Sequence, residues 1–302
     1  MTSERITTKE KPVESGLFSD KAGLAADKAE LVLPGERVDE LQCRGLRLIQ
    51  SPAAFRFGTD SVLLTHFALR ALKNAAKDAR VADLGAGSGA IALLIAAKTG
   101  LSVTAVEIDA EQCSRLERSL ALNGLTGPSE SRESNESNES NESKTQSETG
   151  AANGIGRVEV VCADFLEKPP ANAKKFDHAV CNPPYFRAGS GGAPKHPGAT
   201  HESSADIRSL ASAVRARLKF GGSFSLCFPA ERLSEAMTAL SLNALEPKVL
   251  RLVRTAAGKR PYLALIRAKH GAKPGLVIED ELVLLDECGA YTEEVRGYYD
   301  GE

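Results

Sequence analysis

The stretch HAVCNPPYF, residues 178–186, combines residue types that can hold a flat group carrying an amine. Asn182 follows an apolar run directly, and Pro183 and Tyr185 come just after it. The side-chain oxygen of Asn182 and a backbone carbonyl beside the prolines can accept both N–H bonds of an amino group, while proline adds no competing donor. The ring of Tyr185 can stack on a planar base. The alternative is a Pro-Pro turn that merely ends a strand, with the tyrosine packed on the surface.

A glycine-rich turn, VADLGAGSG, joins a predicted strand to a predicted helix. Asp83 lies at the end of the strand, and Gly85, Gly87 and Gly89 follow before the helix begins. Small residues let a ligand approach the backbone closely, and a helix N-terminus offers free N–H groups. Nicotinamide and flavin enzymes use a similar turn, but with GxGxxG spacing, whereas this chain has GxGxG. The pattern therefore favours another adenosine-containing ligand.

Two further acids mark the ends of the next predicted strands. Glu107 ends the second strand, and Asp164 closes the third. Ligands in open α/β sheets bind beyond the carboxyl ends of the strands, where a carboxylate can accept the hydroxyls of a ribose. We expect Glu107 to accept both ribose hydroxyls and Asp164 to reach an adenine amino group. Tight packing turns with solvated acids at the strand ends are the alternative.

The order of the elements predicts an α/β fold. Strands and helices alternate from residue 80 to residue 229, which indicates a doubly wound, mostly parallel sheet. A short link between the last two strands predicts that the final strand runs antiparallel. Seven strands are predicted: RVADL, LSVTAVEID, RVEVVCAD, FDHAVCN, SFSLCFP, KVLRLVR and PYLALIRAKH.

Four regions are predicted along the chain. They are a flexible tail (1–30), an N-terminal extension with a capping helix (31–79), the main domain (80–270) and a C-terminal extension (271–302). Thr59 or Asp60 is placed to cap the helix of the extension. Residues 126–154 interrupt the main domain with a Ser-Asn-Glu repeat and a local net charge of −4. Because the repeat lacks apolar residues, it is predicted to be disordered.

The glycine loop and the acids at successive strand ends resemble the class I S-adenosylmethionine-dependent methyltransferases, which have a Rossmann-like fold. The resemblance implies S-adenosylmethionine as cofactor, with Asp83 and the glycine loop near its methionine part. NPPY after the fourth strand resembles amino-methyltransferases that act on adenine, on guanine N2 or on the glutamine amide of release factors. It implies catalytic roles for Asn182, Pro183 and Tyr185, but it does not choose among those substrates.

Three longer stretches resemble the bacterial tRNA1(Val) adenine-N6 methyltransferase family: GLRLIQSPAAFRFGTDSVLL, NPPYF and KPGLVIEDELVLLDECGAYTEEVRGYY. This resemblance implies a tRNA substrate modified at the adenine next to the anticodon. It also implies that Thr59 and Asp60 contact the methionine end of the cofactor, for which a simple helix cap is the alternative. Two rivals stay open: methylation of another amino group, and an RNA-binding protein that senses the cofactor without catalysis.

Basic residues cluster between Glu246 and Glu279, where no acid occurs. Positive charges on neighbouring strands suit RNA phosphates, whereas a solvated sheet edge is the alternative. The predicted RNA contacts are Lys248, Arg251, Arg254, Lys259, Arg260, Arg267 and Lys269.

Composition excludes several classes of protein. The chain has 302 residues and a net charge of −2, with no CxxC pair, so we expect no metal site. Neither a signal-peptide pattern nor a membrane-length apolar run occurs. The predictions are a cytosolic location and no membrane partner; the sequence does not determine the oligomeric state, for which a monomer is favoured.

Overall fold

The computed structural model describes residues 18–19, 26–52, 57–125, 154–183 and 206–299. Most of the predicted tail, almost all of the predicted acidic insert and Tyr185 lie outside these residues. The described N-terminal part contains β1 (Phe18–Ser19), α1 (Ala26–Ala29), β2 (Arg37–Glu40) and β3 (Arg47–Gln50). The three strands form a small antiparallel sheet.

A nine-stranded sheet occupies the centre of the described part of the chain. It contains all seven predicted strands: β4 (Arg80–Leu84), β5 (Ser102–Glu107), β6 (Val158–Cys162), β7 (Phe176–Cys181), β8 (Leu218–Pro229), β9 (Leu245–Ala256) and β10 (Leu263–His270). Their spatial order is β6-β5-β4-β7-β8-β10-β9. The pairs from β6 to β8 are parallel, and β10 is antiparallel to both of its neighbours, as predicted.

Helices cover both faces of this sheet, which is why its central strands read as nearly continuous apolar runs. One face packs against α2 (Thr59–Leu72), α3 (Ala90–Thr99), α4 (Ala110–Leu122) and α7 (Glu293–Tyr299). The other face packs against α5 (Ile207–Arg217) and α6 (Leu233–Leu242). Among the described helices, none combines the length and apolar character that crossing a membrane requires.

The N-terminus of α2 differs from the predicted cap. Gly58 is the N-cap residue and no side chain caps the helix, so the capping role predicted for Thr59 or Asp60 is wrong. Both residues lie inside the first turn. Their side chains are engaged by the C-terminal part of the chain instead, as described below.

The C-terminal extension widens the sheet beyond the seven predicted strands. β11 (Val277–Ile278) and β12 (Leu282–Leu285) both pair in parallel with β9. Arg251 of β9 donates two hydrogen bonds to Glu294 of α7, and these bonds connect the C-terminal extension to the sheet. Strands of two and four residues are too short to show a period of two, so the sequence pattern did not indicate them.

The predicted catalytic and cofactor-binding segments lie at one edge of the sheet, where its parallel strands end. Parallel pairing brings the carboxyl ends of β4, β5, β7 and β8 to the same edge. Antiparallel pairing of Leu263 with Pro229 puts the turn between β9 and β10 there as well. Ligands of open α/β sheets bind at this edge.

Candidate active site

Asn182, on which the predicted chemistry depends, directly follows β7. Its Nδ2 donates to Oγ of Ser61 in α2 at 3.1 Å, and its Oδ1 accepts from Sγ of Cys227 in β8 at 3.0 Å. Both partners are buried, so the plane of the amide is fixed from two sides. Pro183 comes next in the chain, whereas Tyr185 lies outside the described residues. Nothing in the sequence pattern pointed to Ser61 or Cys227 as functional.

The glycine turn between β4 and α3 contains glycines with different surroundings. A β-carbon added at Gly87 would meet nothing within 4 Å, and its φ of 54° lies in the left-handed region. A β-carbon at Gly89 would lie 2.2 Å from a methyl carbon of Leu116 in α4, and one at Gly85 3.7 Å from the ring of Phe165. Gly87 therefore leaves room for a ligand against the backbone, whereas Gly89 lets α3 begin close to α4.

Glu107, the last residue of β5, is held rigidly beside this turn. Its Oε2 accepts from the backbone N–H of Gly87 at 2.7 Å, and its Oε1 accepts from those of Ile108 and Asp109 at 2.9 and 3.0 Å. A carboxylate offers about four acceptor directions. These three bonds leave one direction, on Oε2, for a ligand hydroxyl.

Asp83 of β4 is fully buried behind the same turn. Its Oδ2 accepts from the N–H of Ala92 at 3.1 Å, while its Oδ1 is buried without a hydrogen-bond partner among the described residues. Burial, reinforced by the neighbouring Glu107 carboxylate, raises the pKa of Asp83 from 3.8 to about 7. A buried acceptor without a partner at a strand end fits a site for a ligand donor.

Replacing Asp83 with asparagine is expected to change the pH dependence of stability. Since the pKa of Asp83 is higher in the folded chain, the folded state binds the proton more tightly. The resulting stabilisation is complete below pH 3.8 and is lost as the pH rises to about 7. At about 1.36 kcal/mol per pKa unit, the loss amounts to roughly 4 kcal/mol.

Urea unfolding between pH 4 and 8 measures this effect. The free energy of unfolding of the wild type should fall with pH relative to that of Asp83→Asn. Asp78→Asn, which removes an exposed carboxylate, is the control and should follow the wild type. Parallel curves for all three proteins would contradict proton binding by Asp83 in the folded state.

Asp164 lies two residues beyond β6, where its Oδ1 accepts from the backbone N–H of Leu166 at 2.8 Å. Two apolar side chains near it were not singled out from the sequence. Ile108, directly after Glu107, is 59% exposed, and Phe165 directly follows Asp164. Because β5 and β6 are neighbours, these side chains provide apolar surface for a flat ring. The sequence feature that could have identified Ile108 and Phe165 is their position, since each is a large apolar residue directly after a strand-end acid.

Thr59 and Asp60 lie near Asn182, because the next residue, Ser61, accepts a hydrogen bond from the Asn182 side chain. The start of α2 and the end of β7 together form a corner of the molecule, which is called the corner below. The Thr59 side chain hydrogen-bonds Tyr299, and Oδ1 of Asp60 accepts from the Tyr262 hydroxyl at 3.3 Å. Burial raises the pKa of Asp60. Two tyrosines from the C-terminal part of the chain thus close one side of the corner.

The predicted RNA contacts divide between the two edges of the sheet. Lys259 and Arg260 are exposed in the turn between β9 and β10, at the edge that carries Asn182. Lys248 and Lys269 lie at the opposite edge, because β10 runs antiparallel. Nζ of Lys248 donates to the carbonyl of Lys273 at 3.1 Å. The three arginines contact other side chains: Arg251 with Glu294, Arg254 with Glu281, and half-buried Arg267 over the ring of Phe67.

A cavity of about 1170 Å³ lies away from this corner. Its walls include Arg70 near the end of α2, Thr99 at the end of α3, and Glu279. Both helix ends lie towards the edge opposite Asn182, so we assign this cavity no part in the chemistry.

Two solved structures illustrate the similarity of this fold to known folds. A structure from Agrobacterium tumefaciens described as a predicted O-methyltransferase has a TM-score of 0.55 and 20% identity, over 80% of this chain and 95% of that one. A structure from Listeria monocytogenes described as a putative class I S-adenosylmethionine-dependent methyltransferase has a TM-score of 0.51 and 10% identity, over 80% and 69% of the two chains. These similarities establish a class I methyltransferase fold.

Similar protein sequences identify the family within this fold class. Residues 57–147 match the model of the methyltransferase small domain. A Bacteroides fragilis protein named tRNA1(Val) (adenine(37)-N6)-methyltransferase is 30% identical over 70% of this chain and 76% of its own length. A Shewanella amazonensis protein of the same name is 28% identical over 78% and 86%. The chain therefore belongs to the tRNA1(Val) (adenine(37)-N6)-methyltransferase family and is an S-adenosylmethionine-dependent methyltransferase.

Proposed function

We propose that this enzyme methylates the N6 amino group of adenine in tRNA, at adenine 37 of tRNA1(Val) as in the name of its relatives. The observation that carries the proposal is the position of Asn182. Its carboxamide lies at the carboxyl end of β7, next to the strand that leads into the glycine turn. Cytoplasmic tRNA is the proposed substrate pool, so the proposed location is the cytoplasm.

The residues around the glycine turn fit S-adenosylmethionine. Asp83 has a buried acceptor oxygen for the methionine part, and Gly87 leaves open space against the backbone. Glu107 has one acceptor direction for a ribose hydroxyl, fewer than the two hydroxyls expected from the sequence. Ile108 and Asp164 would hold the adenine. When bound, the cofactor supplies a methyl group on a positively charged sulfur.

The role we assign to the residues around Asn182 is to make the target nitrogen a better nucleophile. The lone pair of an adenine amino group is delocalised into the ring, so the nitrogen is a poor nucleophile until it becomes tetrahedral. Oδ1 of Asn182, with a backbone carbonyl near Pro183, would accept the two N–H bonds and hold the nitrogen in that geometry. These hydrogen bonds strengthen as positive charge develops on the nitrogen, which lowers the barrier together with orientation. Tyr185 would stack on the base.

The turn between β9 and β10 is the surface we assign to RNA phosphates. Lys259 and Arg260 are exposed there, and Tyr262 beside them is 37% exposed with its hydroxyl bonded to Asp60. This surface adjoins the corner that contains Asn182. Lysine and arginine at such a place contribute affinity rather than choice of sequence.

Replacing both Lys259 and Arg260 with alanine in one variant is expected to weaken tRNA binding and to reduce the salt dependence of that binding. Each lost phosphate contact should lower the slope of log K against log salt concentration by about 0.7 to 0.9. Binding titrations at several salt concentrations measure the slope. Lys248→Ala with Lys269→Ala removes the same charge from the opposite edge and should leave the slope unchanged. Equal losses in both double variants would argue against a localised surface.

The proposed reaction is tested by incubating the enzyme with methyl-labelled S-adenosylmethionine and tRNA that lacks modifications. Digestion to nucleosides should yield labelled N6-methyladenosine. Label in N2-methylguanosine, or in a protein after incubation with release factor, would redirect the proposal to another amino group. Binding of cofactor and tRNA with no transfer to any of these would support the non-catalytic alternative.

A further inference from the structure

A carboxamide can turn either its oxygen or its NH2 group towards a substrate, and only the oxygen accepts an N–H bond. The role given to Asn182 therefore depends on what holds its amide in the productive orientation. This inference rests on the proposed amino acceptor, but not on whether that acceptor is adenine, guanine or glutamine.

Two buried side chains contact opposite ends of this amide. Ser61, in the first turn of α2, is 5% exposed, and its Oγ accepts from Nδ2 of Asn182 at 3.1 Å. Cys227 of β8 is fully buried, and its Sγ donates to Oδ1 at 3.0 Å. The amide is thus held between a helix and a strand that are far from it in sequence.

The two partners satisfy the two ends of the amide unequally. A hydroxyl oxygen is a better acceptor than a thiol sulfur, so the NH2 group is better satisfied by Ser61 than by Cys227. A thiol is only a weak donor, so the carbonyl oxygen that it contacts remains a strong acceptor for an incoming amino group.

The Ser61 hydroxyl bonds differently from the next hydroxyl along α2. Serine and threonine in helices often bond back to a carbonyl of the preceding turn. Thr65, one turn later on the same helix, does this with the carbonyl of Ser61 at 2.8 Å. Ser61 instead contacts a side chain 121 residues away. We propose that Ser61 and Cys227 are positioning residues that direct the oxygen of Asn182 towards the target amino group.

A double-mutant cycle tests whether Ser61 acts through Asn182. Ser61→Ala is expected to lower kcat by about tenfold, comparable to the loss of one hydrogen bond that matters in the transition state, with little change in cofactor affinity. In an Asn182→Ala background the same change should have no further effect, since residues that act as a unit are non-additive. An equal tenfold loss in both backgrounds would overturn the proposal.

Thr65→Val is the matched control, because it removes a buried hydroxyl from the same helix without touching Asn182. It should leave kcat unchanged even if the melting temperature falls. Cys227→Ser should retain more activity than Cys227→Ala, because a serine hydroxyl can still donate to Oδ1 of Asn182 whereas alanine removes this donor. The opposite ranking would remove Cys227 from the proposal.

A spectroscopic readout separates this inference from the proposed function. In protein labelled with 15N-asparagine, the Asn182 side-chain signal is identified by its loss in Asn182→Ala. Its NH2 protons should exchange faster with solvent in Ser61→Ala and at the wild-type rate in Thr65→Val. Unchanged exchange in Ser61→Ala would overturn the positioning role whatever the substrate. Slow wild-type exchange without methyl transfer to any amino acceptor would refute only the proposed function.

Discussion

Asn182→Ala is expected to lower turnover by about 10²- to 10³-fold, the usual cost of removing one preorganised group that stabilises charge in a transition state. The alanine cannot accept an N–H bond, so the target nitrogen loses the contact that favours its tetrahedral form. Since Asn182 follows β7 and bonds to Ser61 of α2 and Cys227 of β8, the affinity for S-adenosylmethionine should change little.

Single-turnover kinetics with tRNA, together with calorimetry of cofactor binding, measures the two quantities separately. Asn243→Ala is a suitable control, because Asn243 ends α6 and donates to the carbonyl of Ala239, away from the corner. It should leave turnover unchanged. Parallel losses of turnover and cofactor affinity in Asn182→Ala would instead assign Asn182 a structural role.

Glu107→Ala should mainly weaken cofactor binding, whereas Asn182→Ala should mainly lower turnover. A hydrogen bond to a charged group contributes about 1.5 to 3 kcal/mol, so the Kd for S-adenosylmethionine should rise roughly 10- to 100-fold. The carboxylate also orders the turn by accepting from Gly87, Ile108 and Asp109. Its loss therefore removes the ribose acceptor and loosens the backbone beside it.

Calorimetry with S-adenosylmethionine measures this loss, and thermal unfolding without cofactor separates binding from folding. Glu117→Ala removes an exposed acid of α4 and should bind the cofactor as the wild type does. A Kd that is unchanged in Glu107→Ala would refute the ribose role. A large fall in the melting temperature would show that the turn depends on Glu107 for folding.

Local features of this protein followed from residues close together in the chain. Strand ends near Asp83 and Glu107, the glycine turn and the place of Asn182 directly after β7 were predictable, because apolar runs and small residues act within a few positions. Alternation of strands with helices was enough for the sheet class, and the short link before β10 was enough for its direction.

Contacts between distant segments could not be predicted in this way. Ser61 and Cys227 lie 121 and 45 residues from Asn182, and nothing in the local sequence links either of them to that residue. The basic residues formed one cluster along the chain, but antiparallel pairing of β10 placed Lys259 and Lys269 at opposite edges of the sheet. Local sequence determines where an element ends, whereas long-range packing determines which elements become neighbours. The residues that orient Asn182 are a consequence of that packing.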